Sequence, residues 1–165
     1  MNAIPTTPAE ILATIRSQVV EATGIDDDWV FLTPAPELVG KLPPASTAFA
    51  AVVPEGVRFP ESPQHRQICP ADVQFQVCLF SRVAVDRAFD GRKLLIDPSR
   101  GLLILAHKVI LKLAGSSLET PDGQHTRRPI QCLGIDALRW AEGSNLILAY
   151  AVVRFSAEIL YNLEE

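Results

Sequence analysis

His65 and Cys69 stand four residues apart in HRQIC, one helical turn, and His125 and Cys132 follow seven apart in a later segment. Two imidazoles and two thiolates would make a tetrahedral zinc set if they met. The sequence argues against it, because Pro63 and Pro70 flank the first pair and no local spacing joins it to the second. Loop histidines and small buried thiols are the simpler expectation. Asp26, Asp27 and Asp28 offer hard oxygen donors, yet the glycine and closing glutamate of a calcium loop are missing, so a solvated acidic turn is expected. His107 falls on a predicted helix between Ala106 and Lys108, at its exposed edge rather than in a site. Arg127 and Arg128 form a basic loop tip suited to a phosphate or to an acidic neighbouring subunit, but too small for a nucleic-acid footprint. No GxSxG, P-loop, GxGxxG or HExxH pattern occurs. No catalytic residue, cofactor or metal is therefore expected, and the chain is not expected to be an enzyme.

The elements that would carry any site fit one domain. The chain has 165 residues, 48% of them hydrophobic and 21% charged, which suits a globular core and excludes wholesale disorder. A net charge of −4 provides no general attraction to nucleic acid, so sequence-specific DNA reading is not expected. Three cysteines without CxxC spacing indicate neither a disulfide framework nor a zinc ribbon, and a reducing compartment follows. The N-terminus lacks the regions of a secretory signal, and no apolar run is long enough for a membrane helix, so neither secretion nor membrane insertion is expected.

In TPAE, Thr7 caps a helix, Pro8 takes the first position and Glu10 completes a capping box; Ile11, Ile15 and Val19 make the stripe, and Gly24 ends it. WVFL at 29–32 and AFAAVV at 48–53 read as strands, with a brief strand at 57–59. Between and beyond them prolines predict a loop or arm over about 33–70. DVQFQVCLFSRVAV, 72–85, is a strand with Val73, Phe75, Val77 and Leu79 on one face and Gln74, Gln76, Cys78, Phe80 and Arg82 on the other. Asp97 and Pro98 open a second helix with Leu102, Leu105, Val109 and Leu113 in register, closed by Gly115. A polar loop turning at PDG, one or two short strands in IQCLGIDALRW and a long final strand complete an α+β pattern: a mainly antiparallel sheet with two principal helices.

The final strand carries the most information. Ile147, Ala149, Ala151, Val153, Phe155, Ala157 and Ile159 make one apolar row, while the other row is apolar at Leu146, Leu148, Tyr150 and Val152 and polar at Arg154, Ser156 and Glu158. A strand apolar on both faces needs two covers. Either a helix lies on each face of the sheet or another subunit does.

In order of elements the chain resembles the tail terminator, or tail completion, proteins of long-tailed bacteriophages. The likeness is carried by the capped N-terminal helix, ADVQFQVCLFSRV, the helix PSRGLLILAHKVILKLAG and the terminal strand LAYAVVRFSAEILYNL. The proline-rich stretch from Thr33 to Pro70 is longer than that pattern. The resemblance implies a virion protein at the head-proximal end of the tail, made in the host cytoplasm. It implies a homohexameric ring that caps the tail tube protein, stops its polymerisation and meets a head-tail connector or neck protein, with DNA passing through the ring. It transfers no catalytic residues. Leu146, Leu148, Tyr150 and Phe80, with Arg127 and Arg128, are the expected subunit interface. Two other readings stay open on the sequence: a head-completion or neck protein, and a small cytosolic enzyme or ligand-binding domain.

Overall fold

The computed structural model describes residues 3–34, 48–61, 68–83, 91–98, 101–143 and 146–163. Helix α1, Pro8–Thr23, begins as its cap predicts: the Glu10 N–H donates to Thr7 Oγ1 at 3.3 Å, and the Thr7 N–H donates to the Glu10 carboxylate at 2.8 Å. Gly24 ends it in the left-handed region, φ 69°. A 3₁₀ turn, Asp27–Trp29, leads into β1, Val30–Leu32. The remaining strands and helices are β2 (Phe49–Arg58), β3 (Ile68–Val83), α2 (Gly91–Ile96), α3 (Leu102–Leu113), β4 (Glu119–Thr120), β5 (Gly123–Gln124), β6 (Gln131–Ile135), β7 (Arg139–Gly143) and β8 (Leu146–Asn162).

Six strands form one sheet in the order β1-β2-β3-β8-β6, with β7 also paired to β8; β4 and β5 make a separate hairpin at the predicted PDG turn. Among the described strands only β1 and β2 pair in parallel, so the sheet is mainly antiparallel and the class is α+β. Its spine is β3 against β8, in continuous register from Ile68↔Asn162 to Val83↔Ile147. At the middle Phe75 faces Phe155 with rings stacked at 5.3 Å. Alternation then sets the core: Val73, Phe75, Val77 and Leu79 with Ala151, Val153, Phe155 and Ile159 are buried against Ile11, Ile15 and Val19 of α1 and Leu102, Leu105, Val109 and Leu113 of α3. Both principal helices thus lie on the same face. The alternative of one helix on each face is not the one adopted.

Three boundaries differ from expectation. Strand β2 runs through Pro54 and Gly56 to Arg58, absorbing the brief strand expected at 57–59. It tolerates Pro54 because β1 pairs only with Ala50–Val52. Beyond that point β2 is an edge whose missing N–H leaves no ladder bond broken, and a bulge at Pro54/Gly56 takes up the irregularity. Strand β3 begins four residues early, through Pro70, for a similar reason: pairing with β2 ends at Arg58↔Asp72, so Pro70 has β8 on one side alone. Helix α3 starts at Leu102 rather than at Asp97 and Pro98. Gly101 is its N-cap with extended ψ of 129°, and its N–H donates back to the Asp97 carbonyl at 2.8 Å. A short α2 precedes it. The rest of the proline-rich stretch, 35–47 and 62–67, lies outside the described residues.

Candidate functional site

Alternation that sends Phe75 and Phe155 towards the helices sends the other side chains of the same strands to the opposite face, where no residue of α1 or α3 reaches. A second apolar cluster forms there: Phe49, Ala51 and Val53 of β2, Cys78 and Phe80 of β3 and Val152 of β8. Register explains its shape. Phe49, Phe80 and Tyr150 are direct cross-strand partners, so their rings fall in one row across three strands. Phe49 stacks on Phe80 at 4.6 Å and 6°, and Phe80 meets Tyr150 at 5.3 Å. Phe31 of β1 extends the row edge-on to Phe49 at 6.4 Å, with Trp29 beyond it. Contacts of this kind contribute about 0.5–1.5 kcal/mol each beyond area burial.

The same face turns polar along β3 and β8. After Ala51, Cys78 and Val152 come Gln76 beside Arg154, Gln74 beside Ser156 and Asp72 beside Glu158. Arg154 donates from Nε and Nη2 to Asp136 Oδ2 at 3.2 and 3.0 Å, and Arg139 approaches the same oxygen at 3.7 Å. These bonds pin the β6–β7 connection against β8. The Gln76 side-chain amide donates to Glu55.

The expected interface residues fall in three places. Phe80 is 7% exposed, buried within its own subunit, whereas Leu148 and Tyr150 are half-buried at the rim of the second cluster. Leu146 enters β8 opposite Gly143, and its side chain lies outside the described residues. Arg127 and Arg128 both approach Glu158 of the same chain, at 3.2 and 3.8 Å. The Arg127 N–H also donates to the Glu158 carbonyl at 2.8 Å, so this loop is tied to β8.

The would-be zinc ligands do not converge. Cys69 is opposite Tyr161 on one side of β8 and Cys132 opposite Phe155 on the other, about 20 Å apart along the strand. His65 lies outside the described residues, and His107 is exposed on α3. Among the described residues no group of three or more His, Cys, Asp or Glu could hold a metal ion. Nor is any described helix long and apolar enough to cross a membrane. The acidic triplet has local work: Asp26 Oδ1 accepts from the Asp28 N–H at 3.0 Å, and Asp27 pairs with Arg16. That guanidinium bond holds the Asp27 carboxyl below its ordinary range.

Two features were missed in the sequence. Arg16 lies outside the apolar stripe of α1, and its Nε donates to the Val30 carbonyl at 2.8 Å and its Nη2 to the Asp27 carbonyl at 2.6 Å. It occupies a backbone acceptor of the edge strand β1. Leu133 and Ile135 of β6 are exposed at the other edge; β6 carries a bulge between Cys132 and Gly134, which spoils the alternation by which they could have been found.

No protein-family model matches the chain, and no curated protein sequence matches it. Among solved structures the chain is similar to one from the virion of a native gene transfer agent particle, over 90% of this chain and 94% of that one, at 15% sequence identity and a TM-score of 0.48. That likeness assigns neither family nor activity.

Proposed function

We propose that the chain is a structural subunit of a long-tailed, phage-like particle: a tail terminator whose copies close into a ring through the half-buried rim of a second apolar cluster, on the face of the sheet opposite its helices, and one without catalytic activity. The observation that carries the reading is the second apolar cluster, with Leu148 and Tyr150 half-buried at its rim. A ring made of one subunit repeats a heterologous contact until it closes, so each copy needs two different adhesive surfaces. The rim offers one of them. The order of elements, from capped helix to long terminal strand, supports the same reading. In it the ring is a hexamer seated on the last ring of tail tube protein, with a connector or neck protein on its other side.

The test is the native mass of the purified protein over a concentration series, alone and with tail tube protein. A hexamer, or a monomer that becomes one on the tube, is expected. A monomer indifferent to tube protein at every concentration overturns the reading.

A further inference from the structure

Resting on the ring reading, we propose that neighbouring copies join through the two ends of the aromatic row, Arg139 of one copy meeting Asp26 and Asp28 of the next. At the level of Tyr150 the described sheet runs β7-β8-β3-β2-β1, four inter-strand steps or about 19 Å. Arg139 is the direct cross-strand partner of Tyr150, which faces Phe80 and through it Phe49, so it ends the row on the face away from the helices. At the other end Val30 aligns through Ala50 and Leu79 with Ala151, which puts Asp28 about level with Ala149. The two charged ends therefore differ by about one residue along the strands, roughly 3 Å. Copies set side by side with their strands in the same sense bring these ends together.

The charges at the two ends are opposite and are not spent within the subunit. Asp136 accepts two bonds from Arg154, at 3.2 and 3.0 Å, whereas Arg139 reaches it only at 3.7 Å and has a side chain 57% exposed. One carboxylate between two guanidiniums leaves that end positive. In the acidic turn Asp27 is matched by Arg16, while Asp26 and Asp28 are exposed and, among the described residues, in no ion pair. That end is negative. Apolar groups accompany both: Leu148 and Tyr150 are half-buried at the Arg139 end, and Trp29 and Phe31 at the Asp28 end. Two like ends would set arginine against arginine or acid against acid, so the contact is head-to-tail, the kind that a ring repeats. Each end is thus occupied by a second copy of this chain, and the two rims of the second cluster are its two adhesive surfaces.

The experiment is a charge swap read by native mass. Arg139→Glu sets acid against acid at every contact, and Asp28→Arg sets a new arginine against Arg139. Each single variant is expected to need at least about tenfold more protein to assemble. A chain carrying both changes has opposite charges at every contact again, and its assembly should return to within about threefold of wild type. Added salt should shrink the defect of each single variant. Far-ultraviolet circular dichroism and melting of each variant check the fold. If Arg139→Glu fails to fold, Arg139→Gln takes its place and should need more protein than wild type, with a weaker dependence on salt. Single variants that assemble like wild type, or a double variant no better than either, overturn the pairing and leave the ring reading standing. A wild-type protein that stops at a dimer, or stays monomeric with and without tail tube protein, overturns both.

Discussion

Glu10 shows how much of this molecule is decided by single side chains. Its carboxylate accepts from the Thr7 N–H and from the Thr6 and Thr7 hydroxyls, and these bonds, the backbone one foremost, hold its carboxyl below the ordinary glutamate range. A carboxyl with a depressed folded-state value stabilises the fold above its unfolded value, and that stabilisation is lost as pH falls through the folded one. Asp27, depressed by Arg16, acts in the same direction. Urea unfolding of Glu10→Gln is therefore expected to lose less stability than wild type between neutral pH and pH values below the ordinary glutamate range. Thr7→Ala removes the cap itself and should cost about 1 kcal/mol at neutral pH. An unchanged midpoint for Thr7→Ala would mean that α1 is held by packing alone. Thr7, Pro8, Glu10 and Gly24 were legible in the sequence because a cap is a local device. Arg16 was not, since its partners Asp27 and Val30 become neighbours only when α1 folds back onto β1.

Among the elements, α3 shows where local reading stops. Its stripe of Leu102, Leu105, Val109 and Leu113 was predictable from period alone and is wholly buried, but its start was placed at Asp97 and Pro98 by their usual role at helix entrances. The entrance is set instead by crowding at Gly101. A Cβ there would lie 2.5 Å from the Asp97 nitrogen, 2.7 Å from the Asp97 carbonyl oxygen and 2.7 Å from the Leu95 carbonyl oxygen. Its φ of −65° is open to any residue, so the requirement is for space and not for glycine's backbone freedom. Gly101→Ala should accordingly lower stability by on the order of 1–3 kcal/mol, as overpacking does, and chemical denaturation measures it. A neutral outcome would mean that the turn from Asp97 opens without cost. The long strands β3 and β8 were legible because alternation persists for many residues. The passage of β2 through Pro54 and Gly56 was not, because it depends on which strand lies alongside, and the sequence does not state that β1 stops at Leu32, opposite Val52.

At the scale of the whole molecule, the strand that is apolar on both faces belongs to two layers at once. Ala151, Val153 and Phe155 serve the helix-covered core, while Val152, Leu148 and Tyr150 serve the second cluster. Stability and assembly then separate along one cross-strand row. Phe80 is in the middle of that row, buried between Phe49 and Tyr150, and truncating it empties the interior of the subunit. Phe80→Ala should cost about 3–5 kcal/mol in unfolding free energy. Tyr150 ends the row half-exposed, where a charge can reach water in the free subunit but would be trapped in a contact between subunits. Tyr150→Glu, and likewise Leu148→Glu, should leave the monomer folded with a smaller loss of stability and weaken assembly by roughly tenfold or more, the effect of spoiling a central aromatic or apolar anchor. Native mass over a concentration series, set beside denaturation of the same samples, measures the two effects separately. If Leu148→Glu and Tyr150→Glu both assemble like wild type, the second face serves only the subunit's own interior, and the adhesive surfaces of the ring must be sought at the sheet edges alone.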